Sequence, residues 1–225
     1  MADRDKDSLR AVLAVAAITV CAAGLISVSH EISAERIERN ISERLMRSLN
    51  EVLDPSLYDN DLAATQVRVI DPDLLGTPNP VQVFLATRDD QPAAAIFAAV
   101  APRGYNGPIN LLVGVDAAGV VQGVRVTAHR ETPGLGDRIE ISVSDWITGF
   151  DATSLSDPPL AQWAVAPEGG RFDAFTGATV TPRAVVRAVR DVLIYFDGRQ
   201  AELFERPAAV KDAGPDSVPS SATPP

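Results

Sequence analysis

RFDAFTGATVTPRAVVRAVRDVLIYFDG, residues 171–198, holds two features from which the rest of the chain can be placed. Its second half is a helix. Val185, Val186, Val189, Val192, Leu193 and Phe196 recur three and four apart and line one face, while Arg183, Arg187 and Arg190 take the others. Thr181 has the hydroxyl of an N-cap, and Pro182 suits the first helical position, where its missing N–H costs nothing. Gly198 stands where a C′ glycine would close the helix. The first half, Thr176-Gly177-Ala178-Thr179-Val180-Thr181, is small and hydroxyl-rich and runs straight into that helix. A helix N-terminus presents unpaired N–H groups and the positive end of the macrodipole, so an anion can sit there. The same hydroxyls also serve as ordinary capping and turn residues. Turn chemistry alone leaves both readings open.

Upstream, the period changes from helix to strand. Val81–Thr87, Ala93–Ala101, Ile109–Asp116 and Val120–Ala128 read as strands, with a shorter one at Gln66–Ile70. Arg88–Pro92, Tyr105-Asn106-Gly107-Pro108 and Asp116-Ala117-Ala118-Gly119 punctuate them as turns. Links this short predict an antiparallel meander, and the helix Pro182–Asp197 covering one face makes the domain α+β. The next segment, His129-Arg130-Glu131-Thr132-Pro133-Gly134-Leu135-Gly136-Asp137, is suited to close approach. Gly134 and Gly136 permit positive φ and leave room for a flat ring system, and Pro133 stiffens the path. Composition alone favours an ordinary strand-to-helix turn. His129 reads as a structural hydrogen-bonding residue, without a catalytic role. Trp146 and Phe150 read as core aromatics on a short helix.

Composition narrows the chemistry. The 225 residues are 46% hydrophobic, enough for one ordinary core, and the formal net charge is -10. An acidic surface argues against nucleic acid as a partner. One cysteine permits no internal disulfide, and with only two histidines the soft ligands are too few for zinc, haem or an iron–sulfur cluster. No metal site is expected, and redox chemistry would need an organic cofactor. No Ser-His-Asp arrangement and no P-loop is present, which disfavours a stand-alone hydrolase or kinase.

Toward the N-terminus, Ala11–Ser29 (AVLAVAAITVCAAGLISVS) carries no charge and as a helix would span about 30 Å, the thickness of a hydrocarbon core. Basic residues before it place residues 1–10 in the cytoplasm and everything after His30 outside. A cleaved signal peptide with Ser27-x-Ser29 as its site competes with this. Against cleavage, the apolar run is longer than a usual signal core and no polar stretch precedes the site. A lipoprotein site at Cys21 would have branched Val20 where a small residue is wanted. Beyond the span, Ile37, Ile41, Leu45, Leu49 and Val52 make an amphipathic stripe, with Glu and Arg between them. That stripe predicts a helix docking on the domain or on a neighbouring protein and ending at Pro55. Residues 30–80 are thus helix and connection, and residues 207–225, rich in Pro, Ser and Ala, are expected to be disordered.

Asp173-x-x-Thr176-Gly177-Ala178-Thr179-x-Thr181 resembles the flavinylation motif of two related FMN-binding domains. One is in the G subunit of the Rnf complex, the other in the C subunit of the sodium-translocating NADH:quinone reductase. FTGATVTPRAVV lies closer to the Rnf protein. The resemblance implies that FMN is joined to Thr179 by a phosphoester bond, made by a flavin transferase with FAD as donor. Thr176, Gly177, Ala178 and Thr181 would surround the attachment, and Asp173 would serve recognition by the transferase. Glu131-Thr132-Pro133-Gly134-Leu135-Gly136 resembles a second block of that family, which lies against the isoalloxazine. On that basis Glu131, Thr132, Gly134, Leu135 and Gly136 are the expected ring contacts, and Trp146 or Trp163 could border the ring. Residues 81–206 would form the FMN-binding domain, on the periplasmic side of a bacterial inner membrane with a single-pass anchor. The implied function is a flavoprotein subunit that relays electrons within an Rnf-type complex, coupling ferredoxin/NAD electron transfer to ion translocation. Alternatives are the C subunit of the quinone reductase, a non-redox anchored interaction domain in which TGAT is only a cap, and a secreted soluble FMN carrier.

Overall fold

The computed structural model describes Thr19 and residues 43–205. The transmembrane expectation at Ala11–Ser29 (Thr19 apart), most of the amphipathic stripe and the tail at 207–225 lie outside the described residues. Among the described residues no helix is long and apolar enough to cross a membrane. The chain divides into two compact units, Met1–Leu45 and Met46–Pro225. The sheet and its covering elements belong to the second, which opens on the end of helix α1 (43–50).

Five strands, β1 (Gln66–Val69), β2 (Val81–Arg88), β3 (Gln91–Gly104), β4 (Gly107–Asp116) and β5 (Val121–Ala128), pair antiparallel in chain order. This is the meander expected from the short links. The link after β2 is as tight as two residues, Asp89 and Asp90, both at positive φ (50° and 58°), the geometry that matches strand twist in a two-residue hairpin. Ala95, Phe97, Ala99 and Ala101 of β3 enter the main core, and Ala94 and Ile96, on the opposite face, are also buried. Both faces of the central sheet are therefore covered, which is why its strands read as apolar runs rather than alternations.

One cover is helix α3 (Val180–Glu205), whose periodic valines, Leu193 and Phe196 are buried. Phe97 meets Tyr195 and Phe196 edge-on at 5.9 and 6.1 Å. Leu49, Val52 and Leu53, just after or at the end of α1, are also buried. Val52 sits over Gly114 and Gly123, which pair across β4 and β5. A Cβ on Gly114 would lie 2.4 Å from the Val52 carbonyl oxygen, and one on Gly123 would lie 2.9 Å from its Cα. The absent side chains are what let this segment reach the sheet.

Two expectations about α3 are corrected. It begins at Val180, and the Arg183 N–H donates to the Thr179 carbonyl at 3.2 Å, so Thr179 holds the cap position expected of Thr181. Pro182 is then the third helical residue, still within the turn where no N–H is needed. Gly198 does not close the helix, which continues to Glu205. Contacts beyond it carry the helix on: Arg199 reaches Asp71 at 3.3 Å, at the cap of the short helix α2 (Pro72–Leu75). Gln200 donates to the Ala117 carbonyl at 2.9 Å, and Leu203 is buried.

Two glycine substitutions should therefore move stability in opposite directions. Gly114→Ala forces the Val52 segment off the sheet and should cost about 1–3 kcal/mol. Gly198→Ala, exposed in a helix interior with nothing within 4 Å of the added carbon, should gain about 0.5–1 kcal/mol. Thermal melts of the two variants against the parent read both signs.

Candidate functional site

A cavity of about 380 Å³ opens between three segments that are far apart in sequence. The loop after β5 contributes Glu131, Thr132, Leu135 and Gly136. The turn into α3 contributes Gly177, Ala178, Thr179, Val180 and Thr181, and the β3–β4 hairpin contributes Tyr105. The volume falls within the roughly 300–1,000 Å³ of small-molecule sites. Tyr105, Leu135 and Val180 are exposed at its edge, so much of the accessible wall is apolar.

Glu131 holds these segments together. Its side chain is buried, with the residue only 5% exposed. One carboxylate oxygen accepts the hydroxyl of Thr181, itself fully buried, in a short bond between residues fifty positions apart. The other accepts the Asn106 backbone N–H at 3.0 Å. Asn106 also donates its side-chain amide to Thr132 Oγ1 at 3.0 Å. Gly136 and Gly104 flank the carboxylate so closely that a Cβ would stand 2.9 Å from Glu131 Oε2 or 2.8 Å from Oε1. Gly136 is thus required for proximity rather than for positive φ, since its φ is -89°; Gly134 is the loop residue at positive φ (78°). Behind the loop, His129 Nδ1 accepts the Glu131 N–H at 2.9 Å, which puts the ring proton on Nε2, 2.6 Å from Glu140. Both histidine nitrogens are engaged in shaping the loop, in keeping with the structural reading.

The other wall is a turn. Ala178 N–H donates to the Phe175 carbonyl at 3.0 Å, and Gly177 takes φ 82°, a value open to glycine without a Cβ penalty. Thr179 follows, half-buried in the cavity wall at the start of α3. In the first helical turn the amides of Val180 and Thr181 have no intrahelical acceptor. Amides so placed favour an anion at the helix start. The turn is braced from behind. Trp146 donates its indole N–H to the Asp173 carbonyl at 2.9 Å and meets Phe175 edge-on at 5.1 Å, and Arg138 lies over the Phe175 ring at 5.1 Å. Phe150, Phe172 and Trp163 continue this aromatic cluster into the core.

Most of the residues singled out from sequence therefore meet at one place. Thr176, Gly134 and Asp173 are exposed and do not line the cavity, and neither Trp146 nor Trp163 borders it. Tyr105 and Asn106 read in the sequence only as turn residues. Their roles depend on where the hairpin folds back, and no spacing along the chain announces that. The arrangement suits a flat ring with an anionic end, features that FMN has. Among the described residues, no cluster of His, Cys, Asp and Glu could hold a metal ion.

The clasp can be measured. Thr181→Val and Glu131→Gln should each cost about 1–3 kcal/mol, because each leaves a buried polar atom short of a partner. The double variant should cost less than the sum of the two, since they share one bond. Denaturant titrations of the four proteins close the cycle.

Comparison with known proteins agrees with this geometry. The FMN-binding domain family matches residues 104–194, which take in all three walls of the cavity. The G subunit of the ion-translocating oxidoreductase complex of Pseudomonas aeruginosa is 47% identical over 199 residues, covering 88% of this chain and 93% of that protein. The same subunit from Vibrio cholerae serotype O1 is 42% identical over 195 residues (87% and 93%), and that from Shewanella baltica 41% over 184 (82% and 87%). With identity at that level along nearly the whole of both chains, this protein belongs to the family of the ion-translocating oxidoreductase complex's G subunit.

Proposed function

We propose that this protein is a flavoprotein subunit of an ion-translocating oxidoreductase complex, carrying FMN on Thr179 and passing electrons between neighbouring redox subunits. The observation that carries the reading is the cavity itself. It joins the Glu131–Gly136 loop to the Gly177–Thr181 turn and has Thr179 in its wall, at a helix start. Attachment would proceed by attack of Thr179 Oγ on the FMN phosphorus of FAD, in the site of a flavin transferase. The Oγ–P bond forms, the pyrophosphate P–O bond breaks, AMP leaves and the hydroxyl proton passes to solvent. The product is an anionic phosphodiester, and the helix dipole favours it by about 0.3–1 kcal/mol, with the Val180 and Thr181 amides as donors.

Once bound, the flavin supplies reversible electron transfer, and the protein supplies position and electrostatics. Glu131 holds the walls in register, Leu135 and Val180 offer apolar surface, and Gly177 and Ala178 keep bulk away from the hydroxyl during modification. Asp173, exposed on the approach to the turn, is assigned to recognition by the transferase. The uncharged stretch Ala11–Ser29 supports a single-pass anchor in the inner membrane, with the flavin domain on the periplasmic side.

Intact mass tests the site. Wild-type protein co-expressed with the transferase should gain the mass of FMN less one water, and Thr179→Val should gain nothing while melting close to the parent. A Thr179→Val protein that still gains that mass refutes the assignment. The anchor has its own test. Full-length protein should stay in the membrane pellet through an alkaline carbonate wash, and release into the supernatant would exclude it.

A further inference from the structure

An ester to Thr179 fixes one end of FMN and leaves the ring free to swing on the ribityl chain, so something in the protein must hold the ring. We propose that the side chain of Tyr105 is the platform on which the isoalloxazine stacks. This assignment rests on the flavoprotein reading above.

Tyr105 is 70% exposed, the highest value among the large hydrophobic side chains of the described residues. Its hydroxyl has no hydrogen-bond partner among them. A tyrosine at a hairpin tip could be an ordinary solvated turn residue, but its neighbours are not ordinary. Gly104 packs against Glu131 so tightly that a Cβ would fall 2.8 Å from the carboxylate. Asn106 is tied twice, by its N–H to Glu131 at 3.0 Å and by its side-chain amide to Thr132 Oγ1 at 3.0 Å. The backbone on either side of Tyr105 is thus clamped to the loop after β5, while the aromatic ring itself is left without a partner at the cavity. Leu135, 46% exposed, and Val180, 38% exposed, line the same cavity from the other two segments. Three apolar side chains from three separate elements converge on one opening, each held by a braced backbone. That is the surface a flat aromatic ligand would cover.

Chemistry selects the tyrosine for stacking. Offset stacking needs a planar partner, and Tyr105 is the aromatic residue on the cavity wall. A tyrosine also has few rotatable bonds to immobilise, so ordering it on binding costs little. Phenol is moreover an electron donor to an excited flavin at contact distance: an electron passes to the ring and returns, and the emission is lost. The contact therefore has an optical signature that is independent of turnover.

The test uses full-length protein made with the transferase, as wild type, Tyr105→Ala, Tyr105→Phe and Tyr105→Trp. Intact mass establishes loading of each before any spectroscopy. Because Tyr105 is exposed and unpaired, all four should melt alike without flavin. Wild type and Tyr105→Trp should emit weakly with short lifetimes. Tyr105→Phe should brighten several-fold but keep the induced circular dichroism of a held ring. Tyr105→Ala should brighten and also lose that dichroism. Loaded Tyr105→Ala with the lifetime and dichroism of wild type overturns the stacking role alone. Wild-type protein that gains no flavin mass overturns this proposal together with the one on which it rests.

Discussion

Burying a carboxylate costs several kcal/mol unless its oxygens, on losing water, find donors. Glu131 meets that requirement with donors from two different parts of the chain, the Thr181 hydroxyl at the head of α3 and the Asn106 amide in the β3–β4 hairpin. The loop bearing Glu131 contributes a third segment. Without this bond set the three pieces have little reason to meet, because the loop offers few buried apolar side chains: Thr132, Gly134 and Leu135 are all at least partly exposed. The sheet and α3 supply the bulk of the stability, and the carboxylate spends some of it to fix one geometry. In this way the cavity's shape follows from a polar constraint and its rigidity from the core behind it.

That division suits a redox carrier. Electron transfer needs a cofactor held in one place, and an open cavity walled by loops would ordinarily be mobile. Here each wall is fastened by contacts of its own. His129 and Glu140 hold the loop, the Trp146–Phe175–Arg138 contacts hold the turn before Thr179, and Gly104 and Asn106 hold the hairpin. The braces on the loop and on the turn come from residues that do not line the cavity, whereas the hairpin is held through Glu131 and Thr132, which do.

The sheet is well legible in the sequence, the site only in pieces. Strand periods, the turn within Arg88–Pro92 and the periodic face of α3 are local signals, and local signals survive into the fold, although that turn is tighter than its composition suggests. Features that depend on tertiary context do not. Thr181 has the right chemistry for a cap, but its hydroxyl is claimed by a carboxylate that lies elsewhere in the sequence, and the helix starts at Val180 instead. Gly198 has the right chemistry for a helix end, yet Arg199, Gln200 and Leu203 have partners that keep the chain helical. Gly136 matters for a property other than the one its residue type suggests, proximity being invisible without a neighbour to measure from. Tyr105 and Asn106 look like punctuation because a turn's composition says nothing about what the turn abuts.

The tether proposed at Thr179 would also change what such a cavity must accomplish. A freely dissociating cofactor has to be bound tightly enough to survive dilution, and that demands an enclosed pocket with several polar contacts. A ring attached nearby through a short chain is presented at an effective concentration of about millimolar. A surface with intrinsic affinity of only that order, about -4 kcal/mol, then suffices to keep the ring seated roughly half the time, and modest additional stacking shifts it to mostly seated. The cavity between Tyr105, Leu135 and Val180 fits that weaker demand: it is open, apolar at the edge and sparing in free hydrogen-bonding side chains. Openness would then be an advantage, because a ring held by one face and one end would keep an edge exposed to the next carrier.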